Sequence, residues 1–251
     1  MAAYYDTAGE IVNSAAIECG LDTVSDPFSS PAPHMIQLCA LLTNCGRELY
    51  NKYQWQQFIA NASYDTSTDI IPGTTNEFEL PDDFANLINQ TGWTPNNLGL
   101  GLPLGGPYTE QQWDAIVAQQ LAATTIYIGF KIANGTFQVL PDPPPEDTTI
   151  TFGYMSRNWV QVDGDPDVGA TKVENSADIV MFEPIMAVKM LATRYKQAKG
   201  LDATESLDQF NAAYNSAISF NAPAPVLDMG RSMLFPLLNI FTNTPPTGYG
   251  S

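Results

Sequence analysis

The residue types that do most enzyme chemistry are scarce in this chain. His34 is its single histidine, and Cys19, Cys39 and Cys45 form an odd set with no C-x-x-C pair. A zinc site and a Ser-His-Asp triad are therefore disfavoured. His34 follows Ala32-Pro33 at the opening of an apolar helical run, which predicts a satisfied structural histidine. Cys39 and Cys45 lie in the same run and read as small buried hydrophobes of a reducing compartment.

Carboxylates are more plentiful. Asp82-Asp83, with Glu77 and Glu79 upstream, is the compact cluster beside a strand from which a general acid and base could be drawn. Within a Leu-Pro-Asp-Asp-Phe turn, capping or solvated carboxylates are the better expectation. Asp163, Asp165 and Asp167 stand at positions 1, 3 and 5 of a calcium loop, but Pro166 intrudes and Val168 replaces the required glycine. A solvated acidic loop is expected there. The glycine-rich run 99–106 lacks the Lys-Ser/Thr and the strand-to-helix setting of a phosphate cradle. Its Leu98, Leu100, Leu102 and Leu104 predict instead an adaptable contact surface at an exposed loop tip. Trp93, Trp113, Tyr127, Phe130, Phe137, Phe152, Tyr154 and Trp159 could stack on sugars or bases, but their alternation assigns most of them to a β core.

Composition narrows the classes further. Ten Lys and Arg against 27 Asp and Glu leave a net charge of −17 over 251 residues, a surface that repels phosphate backbones and argues against sequence-reading DNA binding. No apolar run approaches a membrane span, and the start, Met1-Ala2-Ala3-Tyr4-Tyr5-Asp6, has neither a basic nor an apolar leader segment. The expectation is a soluble chain, with no membrane contact, that does not use the Sec pathway.

Hydrophobic periodicity supplies the elements that must position these groups. A short amphipathic helix is predicted over 7–21, capped by Asp6 or Thr7, and a longer one over 34–59, with a break near Gly46. Period two takes over at residues 64–71 and 77–80, separated by Pro72-Gly73. Alternation from Ile126 to Ile132, then Asn134-Gly135, then Phe137 and Val139 predicts a hairpin with a type I′ turn. Another strand is predicted over 148–160, and an inserted helix over 109–121 carries Thr109 and Gln112 at capping-box spacing. Helical periodicity returns with Glu183-Pro184 as N-cap and first residue, Gly200 closing that helix, and a last helix over 202–220.

This order predicts an α+β protein: a four-helix body from N- and C-terminal helix pairs, 1–59 and 174–221, with an inserted, mainly antiparallel β domain of one helix, 60–173. Residues 222–251 would be an extended C-terminal arm, rich in proline and in large apolar residues. Disordered tails are poor in such residues, so the arm reads as a docking segment.

Leu80-Pro81-Asp82-Asp83-Phe84, Thr91-Gly92-Trp93, Gly106-Pro107 with Trp113, Phe130-Lys131-Ile132-Ala133-Asn134-Gly135, Pro141-Asp142-Pro143, Phe152-Gly153-Tyr154-Met155-Ser156-Arg157-Asn158-Trp159-Val160 and Lys199-Gly200-Leu201-Asp202 form an ordered series. In that order they resemble the head-to-tail adaptor family of tailed bacteriophages, also called connector or tail tubular A-like proteins, over residues 80–220.

The resemblance implies a virion neck protein without catalytic activity or cofactor, synthesised in the host cytoplasm. It implies a ring of twelve copies seated under the portal protein, bound to a downstream tail protein and lining a channel through which genome DNA passes without specific binding. The arm would embrace the portal through Leu227, Met229, Arg231, Met233, Leu234, Phe235, Leu237, Leu238 and Phe241. The loop bearing Leu98, Leu100, Leu102 and Leu104 would face the tail. Leu80, Pro81, Asp83, Phe84, Trp93, Trp113, Asn134, Gly135, Tyr154 and Trp159 would be structural motif residues. The alternative is a carbohydrate-binding or hydrolysing virion protein using Trp93, Trp113 and Asp82-Asp83.

Overall fold

Thr7 opens the first helix as expected: its hydroxyl accepts from the Glu10 amide, and the Glu10 carboxylate accepts from the Thr7 amide at 2.9 Å. This reciprocal cap satisfies two amides that the first turn leaves unpaired. Helix α1 spans Ala8–Glu18, shorter than the apolar pattern suggests, because Gly20 at φ +68 turns the chain out of the helix. Helix α2, Pro33–Lys52, is unbroken at Gly46 and ends where Tyr53 becomes extended, so the predicted helix over 34–59 is too long and wrongly interrupted. Gly46 is there for space. An added Cβ would run into the Trp159 ring, and the helix keeps glycine so that an indole can lie against its backbone.

The computed structural model describes residues 4–88, 91–95, 101–118, 128–165 and 168–221. After a single 3-10 turn, Gln56–Phe58, come β1 (Ile59–Asp65), β2 (Glu77–Glu79), β3 (Phe84–Leu87), β4 (Trp93–Pro95) and β5 (Gly101–Pro103). Helix α3 (Glu110–Ala118) precedes β6 (Gly129–Ala133), β7 (Thr136–Leu140), β8 (Thr149–Ser156), β9 (Val160–Gln161), β10 (Gly169–Ala170) and β11 (Ile179–Val180). Helices α4 (Pro184–Ala198) and α5 (Thr204–Asn221) complete the described chain.

The protein is thus α+β, with antiparallel sheets. One sheet has the order β1-β8-β4-β5, with β3 sharing the far edge of β8; the others run β2-β7-β6 and β10-β9-β11. Two strand predictions need correction. The first strand covers 59–65 and not 64–71, because Asp65 starts a turn in which its carboxylate accepts from the Ser67 amide at 2.8 Å and its carbonyl from the Asp69 amide. The strand predicted over 148–160 stops at Ser156, whose hydroxyl accepts from the Asn158 amide, and β9 belongs to a different sheet. The Asn134-Gly135 turn has positive φ at both residues, 53° and 79°, as a type I′ turn requires. Residues 126 and 127 of that predicted hairpin lie outside the described residues.

Two buried clusters result. Helix α4 packs against α1, α2 and α5, and the cluster around it contains Leu38, Leu42, Leu49, Met186, Leu191, Trp55, Phe182 and Trp159. The second holds Tyr64, Phe78, Phe130, Phe137, Ile150, Phe152 and Tyr154 between β1-β8 and β6-β7. Strand β8 feeds both, sending Ile150, Phe152 and Tyr154 into the aromatic cluster and Met155 into the helical one. Trp159 belongs to the helical cluster, not to the β core its alternation suggests.

Candidate functional site

The segment where the two clusters meet gathers the densest set of polar contacts among the predicted site residues. The turn 81–84 is closed by the Pro81 carbonyl, which accepts from the Phe84 amide at 2.8 Å. The Asp83 carbonyl accepts from the Arg157 amide at 2.7 Å, and the Arg157 guanidinium donates to the Asp82 carbonyl. Asp83 Oδ1 accepts from the Tyr154 hydroxyl at 2.8 Å, while the Phe84 ring stacks on the Tyr154 ring at 5.7 Å. Burial, then the hydrogen bond to Asp83 and the charge of Asp83, push the Tyr154 hydroxyl up to about 12. Burial and the same carboxylate also raise Tyr50. This arrangement holds one carboxylate against a phenol. It clamps the turn to β8.

A groove of about 610 Å³ opens beside the clamp, lined by Tyr50, Asn51, Lys52, Tyr53, Gln54, Asn86, Leu87, Ile88 and Met155. The lining includes no carboxylate, imidazole or thiol. Lys52 is engaged elsewhere, bridged to Glu48 at 3.0 Å and set over the Phe210 and Tyr214 rings. The groove therefore offers hydrogen-bonding side chains and shape.

The other predicted residues are dispersed. Leu80 packs half-buried on the aromatic cluster. Trp113 is buried, its ring covered by Lys131 Nζ at 4.8 Å, and Lys131 bridges Glu110 at 2.7 Å. That face is closed to a sugar. Trp93, on β4, is 37% exposed and opposite Pro103. Asn134 and Gly135 form the tip of the β6-β7 hairpin. Trp159 sits against Gly46 and donates Nε1–H to the Thr171 carbonyl at 3.1 Å. Leu104 corrects an expectation: it is not at an exposed tip but half-buried on the aromatic cluster, its amide donating to the Gly92 carbonyl at 2.9 Å. Leu102 lies in β5, paired with Thr94, so this part of the expected loop is strand. Leu98 and Leu100 lie outside the described residues, as do Leu227, Met229, Arg231, Met233, Leu234, Phe235, Leu237, Leu238 and Phe241.

Three features escaped the sequence reading. Asp178 is buried and accepts from the amides of Asp163, Glu174 and Asn175, which makes it the organiser of that acidic loop. A lone Asp before the apolar pair Ile179-Val180 was the available signal. Lys131, whose position in the alternation carried no assigned role, is buried beside α3. His34, expected to be satisfied, has a buried Nε2 without a hydrogen-bond partner among the described residues. Cys45 is buried as expected, its thiol pushed up to about 12 by burial, whereas Cys39 is only half-buried. Among the described residues no group of three His, Cys, Asp or Glu side chains is placed to hold a metal ion, and no helix is long and apolar enough to cross a membrane. No protein-family model matches this chain, and no curated protein does either.

Proposed function

We propose that this chain is a head-to-tail adaptor subunit of a tailed bacteriophage, a virion neck protein whose function is a set of interfaces and not a reaction. The observation that carries the reading is the ordered series from Leu80 to Asp202 together with what its members do: Asp83, Phe84, Tyr154 and Arg157 clamp one turn to the strand shared by two cores. Such residues serve a rigid scaffold. In this reading the four helices α1, α2, α4 and α5 form the body, the strands and α3 form an inserted domain, and residues 222–251 are the arm that grips the portal.

The copies would close into a ring of about twelve, the usual outcome when head-to-tail contacts complete a rotation. Its channel would pass DNA without binding it, since a wall drawn from a chain of net charge −17 repels a polyanion. The downstream face would carry the tail protein. A carbohydrate-acting alternative is weaker, because Trp113 is buried under Lys131 and Asp83 is engaged by Tyr154.

Co-sedimentation with the portal ring encoded by the same genome tests this reading. The full chain is expected to sediment with the ring, and a chain lacking 222–251 to stay folded and remain in the supernatant. Retained binding by the truncated chain would overturn the assignment of the arm, and no binding by the full chain would overturn the adaptor reading.

A further inference from the structure

Several strands at sheet edges are covered by neighbouring chain. The outer edge of β6 is covered by 105–108, through the amides of Gly105, Phe130 and Tyr108, and the outer edge of β2 by 70–71, through the Ile71 amide. Strand β1 is different. It pairs with β8 alone, and the Thr66 amide donating to the Thr148 carbonyl fixes which residues face β8. The even-numbered residues 60–66 point their backbone groups at β8, so 59, 61, 63 and 65 point theirs away.

Both ends of this outward row are occupied. The Ile59 amide donates to the Gln56 carbonyl, the Asp65 amide to Asp69 Oδ2 at 2.8 Å, and the Asp65 carbonyl accepts from the Asp69 amide. Between them, the Ile59 carbonyl and both backbone groups of Asn61 and Ser63 have no partner among the described residues. The side chains of Ile59, Asn61 and Ser63 are also exposed, while Ala62 and Tyr64 anchor the strand in the aromatic cluster. The result is an anchored edge, one short strand long and without a bulge, that is uncapped among the described residues; natural sheets otherwise protect such edges with lysine, proline or a bulge.

Charge selects the partner. Asp65, Asp69 and Asp147 gather at one end of this edge, where the Ser67 hydroxyl and amide contact Asp147 and Asp65. Lys131 is the only basic residue between Lys52 and Arg157, set against eleven Asp and Glu, and it is held by Glu110.

We propose that the β1 edge is a strand-addition site for an extended segment of a partner protein bearing Lys or Arg, placed against residues 59–63 with its basic residue toward Asp65 and Asp69. Backbone hydrogen bonds to Asn61 and Ser63 supply the affinity, and the acidic end sets the orientation. The assignment stands on the edge geometry and does not depend on the adaptor reading.

The test uses the full chain and a fluorescein-labelled, end-capped peptide, Lys-Thr-Val-Thr-Val-Thr-Lys, followed by fluorescence anisotropy. Saturable binding is expected, weakened at least about tenfold by N-methylation of alternate peptide residues, by exchanging both Lys for Glu, and by Ser63→Pro, which removes an outward amide without touching the β8 ladder. Absence of saturable binding, or equal binding of the N-methylated peptide, would overturn the proposal. The N-methylated peptide decides the matter on the unaltered protein even if Ser63→Pro lowers its stability.

Discussion

Around α4 the buried residues are aliphatic and thioether side chains punctuated by a few rings, and the cations nearby are spent on partners: Lys189 on Glu18, Arg194 on Glu48, Lys196 on Ser206. Across β8 the interior is a stack of rings, Phe130 on Phe137 on Phe152 at 4.9 and 4.8 Å, under a surface with almost no basic residues. The first core gains its close fit from one glycine, the second from ring geometry. The contrast separates a body whose cations are paired with its own side chains from a domain whose surface is acidic and nearly without basic residues.

The largest effect should come from Phe137→Ala, which removes the middle ring of the stack and is expected to cost about 3–5 kcal/mol in urea unfolding. Because β8 enters both clusters, one cooperative transition should move as a whole. Two transitions, with only one displaced, would break the coupling between the cores. Gly46→Ala is the matching test of the helical core. Alanine gains roughly 1 kcal/mol of helix propensity, but the methyl meets the rigid Trp159 ring, so a net loss of about 2 kcal/mol is expected. A more stable variant would contradict this packing. The same variant should expose Cys45, whose raised thiol is expected to react slowly with a disulfide reagent at pH 8 in the unaltered protein.

Alkaline pH sharpens the comparison on the sheet side. Burial raises Tyr64 and Tyr154, the latter to about 12 with Asp83 contributing. Both hydroxyls stay protonated in the folded chain while the unfolded chain releases its protons near pH 10. Stability is therefore full below about pH 10 and falls as pH rises toward 12. Urea midpoints measured across that window should decline, and Asp83→Asn, which removes the charged acceptor, should cost about 1 kcal/mol at neutral pH and flatten the decline. A pH-independent midpoint would refute the account of Tyr154. Smallest is the tether of α3: Lys131→Met should cost about 1 kcal/mol and Glu110→Gln a few tenths, since Glu110 is largely exposed.

How much of this was legible in the sequence follows from the range of the forces involved. Local signals were readable: the Thr7 and Thr109 caps, the Glu183-Pro184 helix start and the Asn134-Gly135 turn all depend on residues a few positions apart. Long-range contacts were not. Gly46 looked like a break because its reason, Trp159, is more than a hundred residues away, and nothing local to Lys131 announces the Glu110 and Trp113 contacts that bury it. Leu104 looked like a loop tip because its alternation with glycine carries no sign of the Gly92 carbonyl that holds it. For the candidate site, the Asp82-Asp83 turn was expected to hold capping or solvated carboxylates, whereas Asp83 accepts from the Tyr154 hydroxyl, a pairing that only three dimensions reveal.

The measurement that tests the central claim most directly is the native mass of the purified chain, alone and after mixing with the portal ring of the same genome. The account predicts a discrete added mass of about a dozen subunits per portal ring. A chain that stays monomeric and indifferent to the portal would contradict it.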